Sequence, residues 1–305
     1  MKLLDCEGAR LCLIALPLSV LLLSCAPSDG GSPGTDSSPP RQTVPAAEQR
    51  ESLHPRFDLS REQLAQIAGL APSSSGEAIL AEPQRFLDLA AQMLRSEPEL
   101  LLLVDKSTPL EPDYEPDDLV ALEEYGEALL LRREGLSLRR LIMDDLLAMV
   151  EAAEAEGIEL LISSTYRSYE YQEWLFDYWV EELGLEEAQR SSARPGTSEH
   201  QLGTTVDFGT ITAAFARTEA GRWLAEHAGE YGFSLSYPDG YEEVTGYKYE
   251  PWHFRYIGRS AVEMHQRYFD GVQQRMLEFW QQAKAPLAEA YRGSAGEPGI
   301  PEDGE

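Results

Sequence analysis

The chain has 305 residues, with 53 acidic against 25 basic side chains and a formal net charge of −28. So negative a surface repels phosphate backbones and excludes nucleic acid as a partner. At 43% hydrophobic residues there is material for a sizeable core, and the three cysteines, Cys6, Cys12 and Cys25, all fall in the first 25 residues, so a mature chain processed there has none for disulfides. Residues 1–25 join Lys2 and Arg10 to an apolar run over 11–23, the length of a signal peptide rather than of a membrane span. Residues 26–56, rich in Ser, Pro, Gly and Asp, are predicted to be a disordered tether.

Helical apolar spacing over 58–70 and 77–96 predicts a small helical prelude, residues 57–98. Residues 99–260 alternate between elements in a way that predicts an α+β domain, with helices flanking a small, largely antiparallel sheet. In order, 100–104 read as a short strand, 109–116 as an irregular acidic loop, 136–157 as a helix ended by Gly157, and 158–163 as a strand. Arg167 then falls between that strand and a helix over 169–183. A polar loop over 191–199 leads to a strand over 204–208, a helix over 215–232, an extended segment over 233–237, a turn-rich excursion over 240–246 and a strand carrying Glu250. In the last segment, 261–305, amphipathic helices run to about residue 293 and a Gly/Pro/Glu tail follows, predicted to be disordered.

The chemistry concentrates in residues 198–207, Ser-Glu-His-Gln-Leu-Gly-Thr-Thr-Val-Asp, and in Glu250-Pro251-Trp252-His253. Two histidines, a carboxylate ligand and a separate carboxylate base are the parts of a catalytic zinc site, in which three protein ligands leave the fourth tetrahedral position open. Glu250, three residues before His253, is placed to take a proton from attacking water and pass it to a leaving amine. Pro251 argues against a helix here, so a strand with a twist or bulge is expected to turn Glu250 and His253 toward one point. His54, His227 and His265 have no ligand-spaced partner and read as ordinary surface or core residues. The aromatic cluster over 166–179 reads mostly as helix packing with one or two members lining a cleft, and Trp252 as a wall of the site. So acidic a chain repels an anionic ligand at long range, so local cations such as Arg167 and Arg194 must dominate near the site for one to bind.

The pattern Ser-x-His-x-x-Gly-x-x-x-Asp followed by Glu-x-x-His resembles the metal-binding signature of VanY-type D-alanyl-D-alanine carboxypeptidases, relatives of D-Ala-D-Ala dipeptidases and of the Hedgehog amino-terminal domain. The likeness spans roughly residues 100 to 260. It includes Leu102-Leu103-Val104-Asp105-Lys106, Ser164-Thr165-Tyr166-Arg167-Ser168 and Ser192-Ala193-Arg194-Pro195-Gly196, in that order. It implies a Hedgehog/D-Ala-D-Ala peptidase-like fold, one Zn²⁺ held by His200, Asp207 and His253, Glu250 as general base, and Arg167 at the substrate carboxylate or the developing oxyanion. Gln172 and Ser198 match positions that contact substrate in relatives. Thr205 stands where the family more often has alanine, so its hydroxyl needs a partner if buried. Leu22-Leu23-Ser24-Cys25 likewise resembles a bacterial lipobox, which implies lipidation of Cys25 and a membrane anchor outside the cell. The expectation is an exported zinc carboxypeptidase that trims terminal D-alanine from peptidoglycan stem peptides. The alternatives are an L,D-carboxypeptidase on tetrapeptide stems and a non-catalytic wall-binding lipoprotein; the separate carboxylate Glu250 argues against the latter.

Overall fold

Proline and capping residues set where the helices begin in the computed structural model, which describes residues 53–293. The expected leader with Cys25, nearly all of the tether and the tail beyond residue 293 lie outside the described residues. Helix α1 (Arg61–Ala68) starts on a capping box, in which Ser60 Oγ accepts from the Gln63 N–H at 3.2 Å and the Gln63 side chain accepts from the Ser60 N–H at 2.9 Å. The expected helix over 77–96 is two helices, α2 (Ser73–Ala81) and α3 (Pro83–Met93). Pro83 lacks the N–H that would continue α2, and it serves well as the first residue of α3. No strand forms at 100–104: a 3₁₀ turn, Pro98–Leu101, opened by Pro98 in the same way, takes its first two residues and 102–104 are irregular.

Tertiary pairing also overrides helical periodicity at the start of the 136–157 segment. Strand β1 (Leu119–Ala121) and the two-residue β2 (Leu130–Leu131) come first, and β3 (Ser137–Arg139) then pairs antiparallel with β1, Val120 opposite Leu138. Only after a 3₁₀ turn does α4 (Met143–Ala155) begin.

The main sheet adds β4 (Leu161–Ser164), β5 (Thr205–Phe208), β6 (Phe233–Leu235) and β7 (His253–Tyr256), in the order β2-β4-β5-β7-β6. Only β2 and β4 run parallel, so the sheet is largely antiparallel as expected. Helix α5 (Tyr169–Leu183) is capped by Ser168 Oγ, which accepts from the Tyr171 N–H at 3.2 Å, and α6 (Leu185–Ser191) follows at Gly184. Helix α7 (Glu219–His227) is shorter than the 215–232 expected because 3₁₀ turns flank it, and the 240–246 excursion contains one helical turn, α8 (Glu242–Thr245).

The C-terminal helices α9 (Arg259–Tyr268) and α10 (Gln273–Ala290) pack on the prelude. The ring of Phe86 on α3 meets Tyr268 at 5.8 Å and Phe279 at 6.0 Å between centroids, both edge-on. The two ends of the described chain also pair directly, since the Asp58 N–H donates to the Ala290 carbonyl and the Arg292 N–H to that of Arg56, each at 2.8 Å. Prelude, sheet and C-terminal helices therefore share one hydrophobic core, with Val206, Phe208 and Phe254 contributed by the central strands. Among the described residues no helix is long and apolar enough to cross a membrane.

Candidate metal centre

Antiparallel pairing of β5 with β7 sets Asp207 directly opposite His253. His200 arrives from the 3₁₀ turn Glu199–Leu202, whose first N–H groups are met by Ser198 Oγ (His200 N–H, 3.4 Å). Gly203 closes that turn at φ +69, a left-handed conformation that costs glycine nothing and brings the chain straight into β5. The outcome is that ligand atoms of His200, Asp207 and His253 all lie within 4.8 Å of one another and are buried. His200 Nε2 is 3.3 Å from Asp207 Oδ2, and His253 Nδ1 is 3.2 Å from Asp207 Oδ1. Glu250 Oε2 stands 3.5 Å from the same His253 Nδ1. Contrary to expectation, Glu250 lies ahead of the strand rather than within it: the His253 N–H donates to the Glu250 carbonyl at 3.1 Å, and this turn through Pro251 brings both side chains to one side.

The hydrogen bonds behind the rings decide which nitrogens face the cluster. His200 Nδ1 lies 2.6 Å from the Thr165 carbonyl, which can only accept, so Nδ1 carries the hydrogen and Nε2 presents its lone pair. His253 Nε2 lies 3.1 Å from Glu199 Oε2, which leaves Nδ1 as the lone-pair atom. His200 Nε2 and Asp207 Oδ1 are buried without a hydrogen-bond partner. Unpartnered acceptors converging on one point fit a cation, and two imidazoles with one carboxylate suit zinc with an open position.

The electrostatics agree. Burial lowers the His200 pKa to about 4, helped by the nearby Arg167 charge. Burial acts the same way on His253, yet the carboxylates of Asp207, Glu199 and Glu250 around it outweigh that and raise the ring to about 10, so the position beside Nδ1 is one where positive charge, a proton or a metal ion, is held. Burial opposes ionisation of Asp207, but the two histidines hold it far below the ordinary carboxylate range. Glu250 is pushed by burial up to about 7, opposed by His253 and abetted by Asp207. Three carboxylates thus crowd one imidazole in a desolvated pocket, a field that draws in positive charge.

The cluster lies at the wall of a cleft of about 500 Å³, which Arg167, Ser198, Glu250 and Trp252 also line. Arg167 sits between β4 and α5 as expected, tied by its own N–H to the His200 carbonyl at 3.3 Å, and its buried Nε has no partner. Burial lowers its pKa against the pull of Asp207 and Glu250, but a guanidinium stays charged. Gln172 does not line the cleft. Its amide donates to the Ala193 carbonyl at 2.7 Å and so braces the loop that does. Arg194 is exposed and stacks over Phe176 at 5.2 Å outside the cleft, and the other cations lining it are Arg133 and Lys248, the latter paired with Glu187. His54, His227 and His265 stay away from the cluster, engaged with Asp88, Glu230 and Ser234 respectively, each at 3.0 Å. The Thr205 hydroxyl finds its partner in the Glu199 carbonyl at 3.1 Å.

Glu199, Arg255 and Gln273 are missed by sequence reasoning. Glu199 is buried, and its second oxygen accepts from Arg255 Nη1 at 2.9 Å and from Gln273 Nε2 at 2.8 Å. Burial alone would raise its pKa, yet Arg255 and His253 hold it at about 2. Arg255 is itself wholly buried, its Nη2 donating to the carbonyls of Leu100 at 3.0 Å and Leu102 at 2.7 Å. The one sequence signal was the acid next to His200; nothing marked Gln273, whose helix is distant in the chain.

A family model described as VanY, D-alanyl-D-alanine carboxypeptidase, matches residues 135–259. The D-alanyl-D-alanine carboxypeptidase of Enterococcus faecalis is 33% identical over 200 residues, covering 62% of this chain and 70% of the relative. YodJ of Bacillus subtilis is 36% identical over 199 residues, 60% of this chain and 70% of its own. This chain belongs to the VanY family. In solved structures, the LdcB LD-carboxypeptidase superposes with a TM-score of 0.53 at 36% identity, over 59% of this chain and 87% of that one. The VanY match includes His200, Asp207, Glu250 and His253 but ends before α10, so the Gln273 side of the Glu199 network comes from outside it, as do the Leu100 and Leu102 carbonyls.

Proposed function

We propose that this VanY-family chain is an exported, zinc-dependent carboxypeptidase that removes the terminal D-alanine from peptidoglycan stem peptides. The observation that carries the reading is the convergence of the His200 Nε2, Asp207 and His253 Nδ1 lone pairs within 4.8 Å, beside a separate buried carboxylate, Glu250, at the wall of a peptide-sized cleft. His200, Asp207 and His253 would hold zinc, which would supply Lewis acidity for the scissile carbonyl and for the attacking water. Glu250, a separate buried carboxylate beside the cluster, takes the proton of the attacking water and returns it to the departing amine. Glu199 holds His253 in the tautomer that points Nδ1 at the metal. The planar fork of Arg167 meets either the terminal carboxylate or the developing oxyanion; substrates with free and amidated ends distinguish these roles. Ser198 borders the bound residue, and Gln172 acts through the loop it braces.

The likeness to the LdcB LD-carboxypeptidase favours a second reading, cleavage of the bond before the single D-alanine of tetrapeptide stems. Mass spectrometry of pentapeptide and tetrapeptide muropeptides after incubation separates the two. Loss of one alanine from the pentapeptide supports the D,D reading, loss from the tetrapeptide the L,D reading, and loss from neither in zinc-loaded protein refutes both.

Export through the leader and lipidation of Cys25 are supported by the apolar run, Leu22-Leu23-Ser24 and the polar segment that follows. Such a tether lets an anchored enzyme reach its wall substrate. Cys25→Ala is expected to move the protein out of the membrane fraction or block its processing; unchanged membrane association removes the anchor from the proposal.

A further inference from the structure

Helix α5 carries a solvent-exposed row of rings that packing does not explain. Tyr171, Trp174 and Tyr178 recur at i, i+3 and i+7, which places them on one helical stripe, and they are 42%, 60% and 43% exposed. Trp174 stacks on Tyr178 at 6.2 Å and 22° between ring planes, and it meets Tyr171 at 5.6 Å. The row is continuous with the cleft at both ends. Tyr171 lines the cleft itself, and Tyr178 touches the cleft-lining Trp179 edge-on at 5.1 Å. Of the ten large apolar side chains exposed among the described residues, five belong to α5 and its exit, Leu183 and Leu185 being the others. A concentrated apolar patch at the mouth of a cleft marks a binding surface.

Charge decides what kind of ligand fits. Glu170, Glu173 and Asp177 alternate with the rings along the same helix, so the patch is a stack of π faces flanked by carboxylates. Anionic lipid headgroups are repelled by it. A neutral sugar ring is complementary, because its C–H face lies flat on an aromatic ring while its hydroxyl and acetamido N–H groups donate to carboxylates.

We propose that the Tyr171–Trp174–Tyr178 face binds an N-acetylated sugar of the glycan strand that bears the stem peptide. The proposal rests on the carboxypeptidase reading for its choice of occupant: a stem in the cleft carries the glycan at its far end. Glu250 and Tyr171 line the same cleft, and five extended residues span up to about 17 Å, so a stem whose terminus lies in that cleft can carry its sugar out past Tyr171 onto the row, which covers about 10 Å of helix. Binding the sugar anchors the substrate without touching the reacting atoms.

The test uses purified full-length protein and a double variant, Trp174→Ala with Tyr178→Ala, neither residue lining the cleft. Binding of chitohexaose and of glycan strands stripped of stems is followed by calorimetry, which needs no turnover. Wild type is expected to bind both, the double variant roughly tenfold or more weakly, and Trp174→Phe to retain most of the affinity. In parallel, kcat/KM for a disaccharide-linked stem is expected to fall in the double variant by a similar factor while that for the free stem peptide is unchanged. Absence of saccharide binding by wild type, or equal binding by the double variant, overturns the platform, as does a Trp174-dependent dimer or vesicle binding in its place. If neither stem is cleaved by wild type, the carboxypeptidase reading fails, and the saccharide titration still decides the platform.

Discussion

At the scale of single residues, Glu250 and Glu199 are both buried glutamates beside His253, and their surroundings separate their tasks. Glu250 is raised to about 7 because burial outweighs the pull of His253, whereas Glu199 is locked by Arg255 and Gln273 and held at about 2. One is placed to exchange a proton and the other to remain an anion. Glu250→Gln is expected to retain zinc and lose roughly 10²–10⁴-fold in kcat, since the amide keeps the shape but cannot accept a proton. Metal analysis beside turnover checks this, and normal kcat with zinc bound assigns the base elsewhere. Glu199→Gln is expected to weaken zinc binding about 10–100-fold, because a neutral amide no longer fixes or charges the His253 ring. Competition with a chromophoric chelator measures it. Unchanged affinity would show that Glu199 serves only Arg255.

At the scale of elements, the site depends on how β5 ends. Gly209 follows the strand at φ +60, its N–H donates to the Leu161 carbonyl at 2.7 Å, and its own carbonyl accepts from Ser163 Oγ at 2.6 Å and Arg132 Nη2 at 2.8 Å. A Cβ built there falls 2.2 Å from the buried Phe215 ring. Gly209→Ala therefore combines a left-handed backbone with overpacking and is expected to destabilise the fold by roughly 2–4 kcal/mol. Urea unfolding reads this out; a shift below about 0.5 kcal/mol would contradict the packing at this corner. Asp207 is two residues upstream, so zinc affinity is expected to suffer in the same variant.

At the scale of the whole molecule, α9 reaches the sheet through His265, whose Nε2 meets the Ser234 hydroxyl of β6 at 3.0 Å. Burial lowers the pKa of this histidine to about 4. The ring is thus neutral when folded, whereas in the unfolded chain it takes up a proton below about 6.5. Its contribution is present above pH 6.5 and lost as pH falls from there toward 4, by roughly 3 kcal/mol in total. His265→Gln removes that titration. The gap in unfolding free energy between wild type and variant, compared at pH 7 and pH 4.5, is expected to narrow on acidification; a constant gap would refute the assignment, and other acid-sensitive groups, the metal site included, cancel in the difference.

The residue types of the site, their order and the family were legible in the sequence because catalytic zinc needs two imidazoles, a carboxylate and a base. Those types, at the spacing His200, Asp207, Glu250, His253, leave little else to build. The α+β class and most helices followed from periodicity, and the errors fell where one local rule met a stronger one: Pro83 cut a helix, Pro98 opened a turn where a strand was expected, and β3 was captured by β1. What the chain alone did not reveal is the scaffolding behind the ligands. Whether Glu250 shares a side with His253 depends on a turn through Pro251, and whether Glu199 is an anchor or a surface acid depends on Arg255 from β7 and Gln273 from α10. Those contacts join residues 56 to 74 positions apart. No sequence window carries them, because a buried hydrogen bond between distant elements leaves no periodicity or spacing in the chain; it exists only once one shared core has brought the sheet and the C-terminal helices together.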